Sequence, residues 1–152
     1  QLGQCSSLQI LEVRNNLLTD LPPEISMLQE VLQKFDAREN PIVDPPVEVL
    51  QRGVTMMFVY LQRVLYSFRS KDLRLCGCSL RAFTLNPQNF LSLERLDLSR
   101  NLLHTLPHSL SVLENLRSVD MSSNIFKDLP KCMLGWITLE LVSAFRMRTE
   151  CA

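Results

Sequence analysis

Apolar residues in this chain recur in a frame that is neither a helical stripe nor a plain strand alternation. In the clearest copy, Leu93, Leu96 and Leu98 are followed by Asn101, then by Leu103 and Leu106-Pro107. The next copy repeats every position 23 residues on, as Leu116, Val119, Met121, Asn124, Phe126 and Leu129-Pro130. The alternation at Leu96-x-Leu98 predicts a short strand with its apolar side chains on one side. The amide at Asn101 predicts a turn whose side chain bonds backbone groups of adjacent coils. Leu103 and Leu106 fill the coil from the other side, and Pro107 favours an irregular return over a long helix. A period of this length predicts stacked coils rather than a globule around one central core.

Three further copies precede these two. The first reads Leu8, Leu11, Val13, Asn16, Leu18 and Leu21-Pro22, with Ile25 and Leu28 on the return. The second reads Leu32, Phe35, Ala37, Asn40 and Ile42, then Pro45-Pro46. The third is weaker, with Leu73, Leu75, Cys78, Leu80 and Phe83, and Phe90 as a bulky plug on its return. The turn residues form a ladder of Asn16, Asn40, Cys78, Asn101 and Asn124. A thiol at Cys78 is only a weak donor, so that rung is expected to be the poorest.

The step from Asn40 to Cys78 is 38 residues, so something is inserted there. Within residues 47–69, Val54, Phe58, Leu61, Leu65 and Phe68 fall on one predicted helical face. The expected organisation is repeats over 1–46, a cap-like or inserted amphipathic helix over 47–71, and repeats with a degenerate end over 72–152. Two placements stay open for the helix: packed on the convex side of one array, or at a joint between two sub-arrays. Near the end, Trp136, Leu139 and Leu141 have strand-like spacing without a sixth turn asparagine, which reads as a degenerate coil or a cap. Gln1 to Ser7 offers no polar cap, and the expectation is a fragment or truncated isoform.

The L-x-x-L-x-L-x-x-N/C-x-L-x-x-L-P frame resembles the leucine-rich repeat family over residues 8–46 and 73–130. The continuation Leu21-Pro22-Pro23-Glu24-Ile25-Ser26-Met27-Leu28 is similar to the intracellular class found in signalling scaffolds. Residues from Asn40-Pro41 through Gly53 and Tyr60-Leu61 resemble the closing helix of Ras-suppressor-like members, except that three repeats follow here. The resemblance implies an α/β fold: a solenoid with short parallel strands on a concave face and an inserted or capping helix.

Composition narrows the function. Leucine alone is 29 of 152 residues, which excludes a disordered chain. Sixteen basic and sixteen acidic residues cancel, so no global field attracts nucleic acid or anionic lipid. The longest apolar stretch, Val54 to Leu61, is far short of the roughly 20 residues a membrane span needs, so no membrane insertion is expected. Five irregularly spaced cysteines do not read as a disulfide framework, which favours a reducing, cytoplasmic setting.

Little points to chemistry. His104 and His108 flank Leu106-Pro107 and read as exposed loop residues. Cys76-Gly77-Cys78 lacks a second pair for a zinc site. No phosphate loop, dinucleotide fingerprint or nucleophile motif occurs, so neither a cofactor nor an enzyme is expected.

The informative surface is the outward side of the strands. It is expected to carry Arg14, Lys34, Asp36, Arg38, Arg74, Arg95, Asp97, Arg100, Arg117 and Asp120. Dense charge of both signs is what a solvated strand face with internal ion pairs would show. It is also what a concave site for a mixed-charge protein partner would show, with arginines as its hot spots. The expected function is a non-catalytic protein-interaction module, a scaffold or adaptor in intracellular signalling, with a partner of unknown identity. The alternative is a targeting or regulatory portion of a larger kinase, GTPase or ubiquitin ligase.

Overall fold

The computed structural model describes residues 7–136 and 141–143. Among the described residues, six three-residue strands pair in parallel, each contributed by one coil. They are β1 (Ile10–Glu12), β2 (Lys34–Asp36), β3 (Asp72–Arg74), β4 (Arg95–Asp97), β5 (Ser118–Asp120) and β6 (Leu141–Ser143). Four coils return through short 3-10 helices, Pro23–Leu28, Pro87–Phe90, His108–Val112 and Lys131–Gly135. Proline precedes or opens each of these. It has no N–H to leave unpaired in the first turn and cannot sit inside a longer helix.

The strands form two sheets rather than one. β1 pairs with β2, and β3, β4, β5 and β6 pair in that order. Between them come α1 (Val47–Leu50) and α2 (Val54–Ser70). The chain breaks between the helices at Gly53, whose φ of +94° is a conformation that glycine adopts without steric cost. α2 ends at Lys71, in the left-handed conformation with its N–H bonded to the Ser67 carbonyl. α2 packs on the first 3-10 return and against β3, so it sits between the two sheets. Its buried face is Met57, Phe58, Tyr60, Leu61, Val64 and Ser67. The predicted face is therefore rotated: Val54 and Phe68 remain 44% and 43% exposed. Phe68 instead stacks on Phe90, with ring centroids 5.3 Å apart.

One core runs through both sheets and the helix. Leu73, Leu96 and Val119, at matching positions of β3, β4 and β5, are fully buried. Each such side chain stabilises the fold by about 1.5–3 kcal/mol. The equivalent residues of the first sheet, Leu11 and Phe35, are only half-buried. Trp136, which the sequence spacing suggests for a strand, instead ends the last 3-10 helix. It is buried, and its Nε1 donates to the Leu110 carbonyl at 2.8 Å. Leu139, Cys5, Cys151 and residues 1–6 lie outside the described residues.

The turns show what the ladder residues do. The left-handed bend belongs to the residue before each rung: Asn15, Glu39, Gly77, Arg100 and Ser123 all have positive φ. The asparagines act as staples. Asn101 Nδ2 donates to Leu75 O in the preceding coil and to Leu98 O and Ser99 O in its own, while its Oδ1 accepts from Leu80 N–H. Asn124 repeats this with Leu98 O and Leu103 N–H, and Asn40 with Val13 O and Leu18 N–H. Among the described residues, Asn16 bonds locally, to Val13 O and Arg14 O.

The third rung is different. As a donor, Cys78 Sγ reaches Cys76 O of its own turn, at 3.8 Å. Helix α2 supplies Arg63, whose Nη1 donates to Cys76 O at 3.0 Å and lies 3.4 Å from the thiol sulfur. Arg52, between the helices, donates to Gly77 O at 2.8 Å. Two arginines thus satisfy carbonyls of the turn that the thiol cannot serve.

Candidate functional site

The strand faces place the expected charged residues in two groups. On the first sheet, side-chain pairs hold Arg14 to Glu39, Lys34 to Glu12 and Arg38 to Asp36. Arg38 clamps Asp36 with Nε and Nη2, and its backbone N–H bonds the same carboxylate. These bonds hold Asp36 far below the usual carboxylate range. The Glu12 carboxylate likewise raises the Lys34 ammonium. The bonding capacity of these groups is largely engaged within the chain.

The second sheet is arranged as a checkerboard. Asp72 lies opposite Arg95, and Arg74 opposite Asp97. Opposite charges across neighbouring strands contribute roughly 0.2–1 kcal/mol per pair. Arg74 Nε and Nη2 bond Asp72 Oδ2, which raises the guanidinium pKa. One strand further along that row, Asp97 stands directly opposite Asp120. Each accepts the backbone N–H two residues on, at Ser99 and Ser122, and forms no ion pair among the described residues. Like charges facing each other on a sheet are unfavourable. Arg95 and Arg100 are exposed and form no ion pair among the described residues.

Register corrects one position. Ser118, not Arg117, is the partner of Arg95. Arg117 precedes β5, with its backbone N–H on Glu94 O, so it flanks the strand face rather than lying in its rows. Asp72, absent from the expected set, is found by counting back one 23-residue period from Arg95. That signal was present in the sequence.

A second feature had no sequence signal. A cleft of about 390 Å³ opens between α2 and the strand face, lined by Gln62, Arg63, Tyr66, Asp72, Arg74, Cys76 and Asp97. Tyr66 is 66% exposed at its wall. Cys76 is a half-buried free thiol. The helix thus adds polar and aromatic groups to a face otherwise made only of strands.

At the joint, Asp44 accepts from Tyr60 Oη at 2.8 Å and from Thr84 Oγ1 at 3.1 Å. It ties the first sub-array to α2 and to the third coil. Burial pushes the Asp44 carboxyl up, and burial beside Asp44 pushes the Tyr60 phenol well up. His104 is exposed, and His108, also exposed, opens a 3-10 helix. No cluster of three or more metal-ligating side chains occurs among the described residues. No helix among them is long and apolar enough to cross a membrane.

Residues 92–113 match the family model Leucine Rich Repeat. That span holds one complete unit: β4, the Asn101 staple and the 108–112 return. A solved leucine-rich repeat protein from Leptospira interrogans is 29% identical, with a TM-score of 0.49. The similarity covers 93% of this chain and 32% of that one, so the chain spans about a third of its length. No curated protein sequence matches the chain. The repeat match over residues 92–113 and the parallel coils give the chain the fold of a leucine-rich repeat solenoid. Solenoids of this kind present extended surfaces for recognition.

Proposed function

We propose that the strand face of β3 to β5, with the adjoining α2 cleft, captures a mixed-charge segment of a protein partner, and that the chain works as a scaffold or adaptor in cytoplasmic signalling. The observation that carries the reading is the contrast between the sheets. Every charged group of the first sheet's strand positions is paired within the chain, whereas Arg95, Arg100, Asp97 and Asp120 are left without ion pairs among the described residues. Internal pairing explains the first sheet without a partner. It does not explain Asp97 facing Asp120 beside two unpaired arginines. Tyr66, exposed at the wall of the cleft, supplies an aromatic anchor next to those charges, and tyrosine and arginine are the residue types that contribute most to binding.

The test is capture of partners from cytosol by the immobilised chain, read by mass spectrometry. Arg95→Glu with Arg100→Glu should remove the specific partners, and Arg14→Glu on the other sheet should leave them bound. An unchanged capture profile for the double variant refutes the assignment to this face.

A further inference from the structure

The insertion of α2 leaves β2 without the neighbour that every internal strand of the second sheet has. Among the described residues, β2 pairs only with β1. Lys34 N–H bonds Gln9 O and Asp36 O accepts from Val13 N–H, so Lys34 and Asp36 turn their peptide groups toward β1. By the alternation of a parallel ladder, the N–H and C=O of Phe35 and the N–H of Ala37 point the other way. In a regular array the next strand would take those groups. Here α2 packs elsewhere, on the first return and on β3. It approaches β2 through a tilted ring contact of Phe58 with Phe35, centroids 6.4 Å apart.

A groove of about 230 Å³ lies along this edge. Its floor and walls are mainly apolar, with Phe35, Ala37, Ile42, Leu50, Val54 and Met57. The two charged residues at its rim, Asp36 and Arg38, bind each other. Lys34 and Arg14 are paired with Glu12 and Glu39. No unpaired charge is offered to an occupant, so a charged side chain would lose its hydration without compensation. The volume is below the roughly 300–1,000 Å³ typical of small-molecule sites. It suits one or two side chains of an extended peptide whose backbone pairs with the edge.

We propose that the β2 edge and this groove take an extended, uncharged segment of another polypeptide, added as a third strand to the first sheet. The backbone of the segment supplies the partners for Phe35 and Ala37, and one apolar side chain enters between Leu50 and Met57. This is strand addition to an open sheet edge, where main-chain bonds give affinity and the pocket gives selectivity. The site is separate from the Arg95 and Asp97 surface, so either assignment can fail without the other.

The experiment uses the isotope-labelled full chain and the peptide acetyl-Thr-Val-Leu-Val-Thr-amide. Addition of the peptide should slow hydrogen exchange at the Phe35 and Ala37 amides at least tenfold. A version methylated on every peptide nitrogen, and a version with lysine in place of leucine, should give no slowing. Val54→Trp should fill the groove and abolish the effect while the spectrum of the peptide-free protein keeps its dispersion. The proposal is overturned by no slowing at millimolar peptide, by equal slowing with the methylated version, or by retained slowing in Val54→Trp.

Discussion

Asn101→Ala should be far more damaging than Asn16→Ala, although both remove the same residue type from the same place in a coil. Asn101 is 4% exposed. Its amide serves four backbone groups, and two of these have other partners: Leu98 O also accepts from Asn124, and Ser99 O from Gly77 N–H. Leu75 O and Leu80 N–H depend on Asn101, and both residues are buried. A buried polar group stripped of its partner costs about 1–3 kcal/mol, so the two together give a loss of about 2–6 kcal/mol. Asn16 is exposed, and its two acceptors lie within its own coil. Water can replace those bonds, so the loss there should stay below about 1 kcal/mol. Urea unfolding followed by far-ultraviolet circular dichroism measures both. Equal destabilisation, or a loss under about 1 kcal/mol for Asn101→Ala, would show that the ladder does not staple coils as argued.

Three other outcomes are expected. Arg63→Met should destabilise by about 1–3 kcal/mol in the same urea assay, because Cys76 O loses its charged donor; an unchanged unfolding midpoint would contradict the substitute-rung account. The folded-state carboxyl of Asp44 titrates above its ordinary 3.8, so its contribution is full below that pH and is lost as pH rises through the raised value. Asp44→Asn should therefore gain stability relative to the parent as pH rises from 3 to 7 in thermal melts, and a constant difference would refute it. A Cβ at Gly135 would lie 2.5 Å from the Ser111 carbonyl oxygen, so Gly135→Ala should cost about 1–3 kcal/mol in the same unfolding assay; a neutral result would mean that the last two returns are not in close contact.

The repeat frame was legible because each coil places its apolar residues at fixed offsets, and stacking keeps those offsets in register. Leu73, Leu96 and Val119 could be assigned to one buried row from spacing alone. The same arithmetic would have included Asp72 and replaced Arg117 by Ser118, since register follows the period. The buried face of α2 was misplaced for a different reason. Met56, Met57, Val59, Tyr60 and Val64 make the helix apolar around much of its circumference, so periodicity alone could not choose which stripe meets the core.

By itself, then, the sequence determined the coils, their strand and turn positions, the weak third rung and the presence of a helix between the second and third coils. Those are local or periodic properties, set by the alternation of apolar side chains and by proline and asparagine at fixed places. Only the tertiary structure decided that the sheet divides at α2, that Arg63 and Arg52 satisfy the turn at Cys78, and that an open edge at β2 and a cleft beside β3 result. These depend on contacts between residues 13 to 25 positions apart across an irregular insertion, where no repeat fixes the distance. The unpaired charges and open backbone groups that suggest function lie where the periodicity is broken or adjoin the break.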